Sequence, residues 1–115
     1  MSINENSDWV ISKDPCNLLL GGTWRIPTLT EWINVDNAGG WDDLSDAYNS
    51  DLKLHTGGYL SGANGDVVNR GTWGLYWASN QVDNAMGWYL YFYSAECTTG
   101  WCWKEFAQTL RCVKE

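Results

Sequence analysis

The four cysteines carry the most definite chemistry of this chain, and their spacing suggests how they pair. Cys97 and Cys102 flank residues 98–101, a glycine-containing segment, so a hairpin turn there would bring the two thiols together. Cys16 and Cys112 would then close a loop of nearly the whole chain, which stabilises a fold by roughly 4–5 kcal/mol. Other pairings, reduced core thiols and a metal site are the alternatives. We favour two disulfides, which indicate an oxidising compartment.

Residues that could build a catalytic or metal site are few. His55 is the single histidine, and the spacing of Cys97 and Cys102 is loose for zinc. No side chain stands at a spacing that implies a catalytic triad, and no glycine-rich phosphate loop occurs. The acids between Asp36 and Asp51 lack the ordered ligand alternation of a calcium loop. We therefore predict a protein that is not an enzyme and that uses no metal ion and no cofactor.

Charge and hydropathy exclude two classes of partner. Seven Lys and Arg against fourteen Asp and Glu give a net charge of −7, which disfavours nucleic acid and anionic membrane surfaces. The longest purely apolar run, residues 18–20, is too short for membrane insertion. Residues 1–6 are polar and acidic and do not resemble a secretory signal, so an extracellular role implies a removed signal or export within a larger assembly.

The aromatic content indicates a binding surface. Nine Trp and six Tyr are more than a 115-residue domain easily buries, and an exposed aromatic patch usually binds a partner. Residues 88–94 read as a strand with Leu90 and Phe92 facing the core and a tyrosine row, Tyr89, Tyr91 and Tyr93, facing water.

A second aromatic row follows the tyrosines along the chain. Trp101 and Trp103 share the side of a strand opposite Cys102. If residues 97–102 form the turn of a hairpin, we expect the indoles and the tyrosine row to lie on one exposed sheet face. Tyr and Trp suit such a surface because they offer large contact area at low entropic cost.

The elements that must position these residues follow from local patterns. Thr28 and Glu31 form a capping box that starts a helix, and Gly39-Gly40 ends it. A shorter helix is predicted over residues 41–49. After residue 52 the hydrophobic period becomes two, and Asn64-Gly65 predicts a hairpin. Further strands are predicted over residues 75–78, 88–94 and 106–113. The chain thus reads as one α+β domain over residues 1–115, with residues 1–13 an irregular lead-in.

Five blocks in the right order carry a resemblance to a known family. They are Asp14-Pro15-Cys16, Trp24-Arg25-Ile26-Pro27-Thr28 with Glu31-Trp32, Gly57-Gly58-Tyr59, Tyr76-Trp77-Ala78-Ser79 and Leu110-Arg111-Cys112-Val113-Lys114. From about Asp14 onward the chain resembles the Fibrobacter succinogenes major paralogous domain. That family is similar to C-type lectin-like domains of formylglycine-generating enzymes and of variable proteins of diversity-generating retroelements.

The resemblance implies a C-type lectin-like fold with two helices, small antiparallel sheets and long loops, and a disulfide between Cys16 and Cys112. It also implies a polar rim around the aromatic rows, formed by Asn80, Gln81, Asp83, Lys104 and Glu105. The expected function is binding of a protein or glycan on a cell surface, as in an adhesin, a phage receptor-binding protein or a retroelement-diversified protein. An extracellular, cell-surface or virion location follows. The alternative is an enzyme of the formylglycine-generating type that uses Cys97 and Cys102.

Overall fold

The computed structural model describes residues 8–50, 52–104 and 106–114, which form helices and small antiparallel sheets. The predicted α+β class is confirmed, and the described residues form three α-helices where two were expected. A 3₁₀ turn at Ile11–Lys13 precedes the helices, which are α1 (Pro15–Leu20), α2 (Leu29–Gly39) and α3 (Leu44–Asn49). The strands are β1 (Trp24–Arg25), β2 (Tyr59–Leu60), β3 (Val67–Val68), β4 (Gly74–Gln81), β5 (Met86–Phe92), β6 (Cys97–Trp103), β7 (Ala107–Gln108) and β8 (Val113–Lys114).

Three antiparallel sheets organise these strands, and the largest has the order β4-β5-β6. A second sheet, β3-β2-β7, contains the hairpin predicted at Asn64-Gly65, where Gly65 has a φ of 74°. The third sheet pairs β1 with β8. Close beside it, Cys16 and Cys112 form the predicted disulfide, which joins positions 96 residues apart.

Helix α2 begins and ends as predicted. The Thr28 hydroxyl accepts from Glu31 N at 3.2 Å, and the Glu31 carboxylate accepts from Thr28 N at 2.9 Å. Gly40 follows the helix in the left-handed conformation, with a φ of 61°, which favours glycine. Both ends of α2 are therefore determined by local chemistry.

The core lies between α2 and the β4-β5-β6 sheet. Trp32 of α2 is 2 % exposed and donates from its indole Nε1 to the carbonyl of Trp77 in β4, at 3.2 Å. Leu90 and Phe92 are fully buried on the sheet side, as predicted. Leu54 and Ala47 complete the cluster from the segment around α3. This packing holds one face of the large sheet against the helices.

Four local predictions need correction. Residues 11–13, expected to be irregular, form the 3₁₀ turn. Helix α1 follows, because the Asp14 carboxylate accepts from Cys16 N at 2.8 Å and Pro15 suits the first helical turn. Helix α3 begins at Leu44, since Asp43 caps it by accepting from residues 45 and 46. Residues 52–55 form no strand. The strand predicted over residues 106–113 is divided into β7 and β8, which pair in different sheets.

Candidate binding surface

The hairpin between β5 and β6 turns earlier than the cysteine spacing suggested. Tyr93 N donates to Glu96 O at 2.9 Å, which closes a two-residue turn before Cys97. Cys97 and Cys102 therefore lie on the same strand, β6. An odd separation directs their side chains to opposite faces, and about 3.3 Å of rise per residue keeps them far apart. The predicted Cys97–Cys102 disulfide is wrong, and both thiols are free.

The register of this hairpin separates the two aromatic rows. Trp101 lies opposite Trp88, and Trp103 lies opposite Met86. Because paired residues share a face, the two indoles stand on the side of the sheet that carries Leu90. The tyrosine row occupies the other side. The odd-numbered tyrosines of β5 pair with even-numbered residues of β6, whereas Trp101 and Trp103 have odd numbers. The expectation that both rows share one face is therefore wrong.

The face opposite the helices carries a ladder of aromatic rings, which we call the tyrosine face. Its rings belong to Trp73, Trp77, Tyr89, Tyr91 and Tyr93. Trp73 stacks on Tyr93 with ring centroids 4.2 Å apart, and Tyr91 and Tyr93 are nearly parallel at 6.4 Å. All three tyrosines are half-buried, and Tyr91 donates its hydroxyl proton to Glu96 at 2.9 Å. Because the rings contact one another, part of the surface of each ring is buried against its neighbours.

One end of the tyrosine face is covered by the small β3-β2-β7 sheet. Gln108 of β7 donates from Nε2 to the Cys102 sulfur at 2.9 Å. Tyr59 of β2 lies close to Tyr89 and stacks on Phe106, with centroids 5.6 Å apart. Burial, with smaller effects of neighbouring thiol and phenol groups, raises the pKa of Tyr89 to about 12. Tyr89 is therefore the least available member of the predicted row.

The opposite face has an open corner, formed by Trp88, Trp101 and Trp103, which we call the tryptophan corner. Trp101 is 55 % exposed and Trp103 is 50 % exposed, whereas Trp88 is half-buried against the core. Helix α2 leaves this corner uncovered because it crosses the sheet diagonally. Its start is bonded to Asn80 at the end of β4, and Asp36 near its end lies beside Cys97 at the start of β6.

The predicted rim residues lie near the β4–β5 turn, at the same end of the sheet as the tryptophan corner. Asn80 accepts from Leu29 N at 2.8 Å, so it caps α2, and it donates to Asp8 at 3.1 Å. The Asp83 carboxylate accepts from residues 85 and 86 within the turn. Lys104 donates to Gln81 Oε1 at 2.6 Å. These side chains hold the turn together, while Glu105 lies outside the described residues.

Both free thiols are held in the protonated form. Burial raises the pKa of Cys97 to about 12, and the carboxylate of Asp36 adds to the effect. Burial also raises the pKa of Cys102 to about 12, although its hydrogen bond with Gln108 acts in the opposite direction. A reactive cysteine needs the reverse, a lowered pKa and access to solvent. The environment of these thiols resembles that of structural cysteines.

Sequence reasoning missed some features of this region. Trp73 and Trp77 join the tyrosine ladder, and the signal for Trp77 was its alternation with Tyr76 along β4. Within residues 8–50, 52–104 and 106–114, no cluster of three or more His, Cys, Asp or Glu could hold a metal ion. In that same portion, no helix combines the length and the apolar character needed to cross a membrane.

Comparison with known proteins identifies no relative. The chain matches no family model, no curated protein and no solved structure.

Proposed function

We propose that this chain is a non-enzymatic binding module with a C-type lectin-like scaffold, whose tryptophan corner contacts a protein or glycan partner. The observation that carries this proposal is the exposure of two neighbouring indoles, Trp101 and Trp103, at 55 % and 50 %. Such side chains are costly to leave in water, and Trp is the residue type most enriched where binding energy concentrates.

The sheet beneath the corner supports the proposal because it is rigidly built. Trp101 meets Trp88 edge to face, with ring centroids 5.2 Å apart, and Trp88 packs against the core. The seven pairs between β5 and β6 continue without a bulge. An aromatic surface held in this way loses little conformational entropy on binding, which favours affinity.

The motif blocks extend the proposal to a family and a setting. We assign the chain to the Fibrobacter succinogenes major paralogous domain type, with an extracellular, cell-surface or virion location. The Cys16–Cys112 disulfide is compatible with an oxidising compartment. Variation of this surface by a retroelement, or use in a phage receptor-binding protein, would suit an exposed aromatic corner. Cys97 and Cys102 lie on opposite faces with raised pKa values, so they give the enzyme alternative no support.

A binding screen with matched variants tests the function. The protein is applied to a glycan array and to a phage-displayed library of random dodecapeptides. For the ligands recovered, we expect Trp101→Ala and Trp103→Ala to weaken binding at least about tenfold, as for central interface aromatics. Tyr48→Ala is the control, because Tyr48 is 52 % exposed but lies on α3. Equal binding by all three variants, or no ligand from either library, would contradict the proposal.

A further inference from the structure

Strand β6 forms an edge of the large sheet and lacks three features that protect many edge strands, namely proline, charged side chains and a bulge. Among the strands that the structure describes, the order β4-β5-β6 leaves one side of β6 without a neighbour. The strand reads Cys-Thr-Thr-Gly-Trp-Cys-Trp, so it contains no proline and no charge. Its register with β5 runs without a bulge from Cys97 to Trp103. Natural sheets blunt exposed edges with such devices, and an unprotected edge is a template for another strand.

Two hydrogen bonds establish which backbone groups point outward from β6. Tyr93 N donates to Glu96 O, and Lys104 N donates to Ala85 O, both at 2.9 Å. In an antiparallel pair, alternate residues exchange these bonds, so the even-numbered residues of β6 bond to β5. The odd-numbered residues therefore direct their N–H and C=O groups away from the sheet.

Within residues 8–50, 52–104 and 106–114, part of this outward row has no hydrogen-bond partner in another segment. Trp103 O accepts from Phe106 N at 3.1 Å, which closes the end of the edge. For Thr99 and Trp101, no hydrogen bond links the outward backbone groups to another segment within the described part of the chain. The side chain of Trp101 also stands on the exposed corner beside these groups. The outward backbone groups of Thr99 and Trp101 and the exposed Trp101 side chain therefore lie together on one short stretch of β6.

We propose that this edge binds an extended, basic peptide segment of a partner protein, which adds to the sheet as a fourth strand beside β6. The inference rests on the proposed function and specifies its partner class. Backbone bonds to Thr99 and Trp101 would supply affinity, and alternate peptide side chains would contact the indoles, as in other strand additions. The net charge of −7 favours a basic segment and opposes pairing of two copies of this chain.

The test uses the best dodecapeptide from the phage-displayed library and two substitutions at one position. Thr99→Pro removes an outward N–H without breaking a bond to β5, and proline is tolerated on edge strands. Thr99→Val keeps that N–H and a similar volume. We expect Lys and Arg to be enriched among the selected peptides. We also expect Thr99→Pro to weaken peptide binding at least tenfold and Thr99→Val to bind within threefold of the original protein.

Amide hydrogen exchange on the unsubstituted protein keeps the proposal testable if Thr99→Pro does not fold. The amides of Thr99 and Trp101 should exchange rapidly in the free protein and slowly in the peptide complex. Peptides that need Trp101 but leave both amides unprotected would overturn strand addition while the proposed function stands. Recovery of glycans without any peptide would likewise overturn strand addition and leave the proposed function standing. Amides that are already protected in a dimer of this chain would also overturn strand addition. If the screens recover neither a glycan nor a peptide, both proposals are overturned.

Discussion

Trp101 lies directly opposite Trp88 across β5 and β6, and their rings meet edge to face at 76°. One ring is more than half exposed, and the other packs against the hydrophobic core. This pair therefore joins the surface of the protein to its interior in a single contact. The orientation of the tryptophan corner therefore depends on core packing through Trp88.

Exposed and buried tryptophans should differ sharply in their contribution to stability. We expect Trp103→Ala to change the free energy of unfolding by less than about 0.5 kcal/mol, as for most surface substitutions. Trp32→Ala should cost about 3–5 kcal/mol, because Trp32 is 2 % exposed and its indole is hydrogen-bonded in the core. Urea denaturation of the two variants measures both values. A loss above 2 kcal/mol for Trp103→Ala would show that this indole is part of the core.

The Cys16–Cys112 disulfide should account for a large part of the stability. Replacing both cysteines with alanine is expected to cost about 2–5 kcal/mol, because a bridge between positions 96 residues apart restricts the unfolded chain strongly. Denaturant unfolding gives the change, and Cys97→Ala with Cys102→Ala serves as the control. Mass spectrometry of the alkylated native protein should find one disulfide and two free thiols. A Cys97–Cys102 bridge in that experiment would contradict the strand arrangement described above.

The two free thiols should react slowly in the folded protein. With a pKa of about 12 for each, the thiolate fraction at pH 8 is about a thousandfold lower than for an ordinary cysteine. We expect iodoacetamide to modify them at least a hundredfold faster after unfolding. Asp36→Asn should accelerate modification of Cys97 and leave Cys102 unchanged, since only Cys97 contacts that carboxylate. Equal effects on both thiols would indicate general loosening of the fold.

Stability should fall in acid through the start of helix α2. The Arg25 guanidinium donates to Glu31 at 2.6 and 2.9 Å and, with the Thr28 cap, lowers the pKa of Glu31 to about 2 from its usual 4.5. A lowered pKa contributes stability above pH 4.5 that is lost as the pH falls toward 2.

The size of this acid effect should be modest and specific to Glu31. The Glu31 side chain is 40 % exposed, so the ion pair contributes less than about 1 kcal/mol. Glu31→Gln should lower stability at pH 7 and flatten the pH dependence between 4.5 and 2, which urea denaturation at each pH measures. Glu96→Gln is the control for a general charge effect. The same slope in Glu31→Gln as in the original protein would contradict the assignment.

The parts of this fold that depend on local chemistry were predictable from the sequence. Helix α2 begins at the Thr28 capping box and ends at Gly40, and the Asn64-Gly65 turn forms its hairpin, because each is determined by residues a few positions apart. The inward direction of Leu90 and Phe92 followed from strand alternation, which needs no knowledge of the partner strand. Helix α1 was missed although its Asp14 cap and Pro15 are visible in the sequence.

Which face each aromatic row occupies was decided only by the tertiary structure. Alternation establishes that Trp101 and Trp103 share a side, but the register with β5 determines which side that is. The turn after Tyr93 sets this register, and moving it by one residue would place the indoles among the tyrosines. The exposure of the corner depends in addition on the diagonal path of α2, which results from packing between distant segments. The sequence alone determined local elements and side-chain alternation, whereas pairing between strands determined the surface that the protein presents.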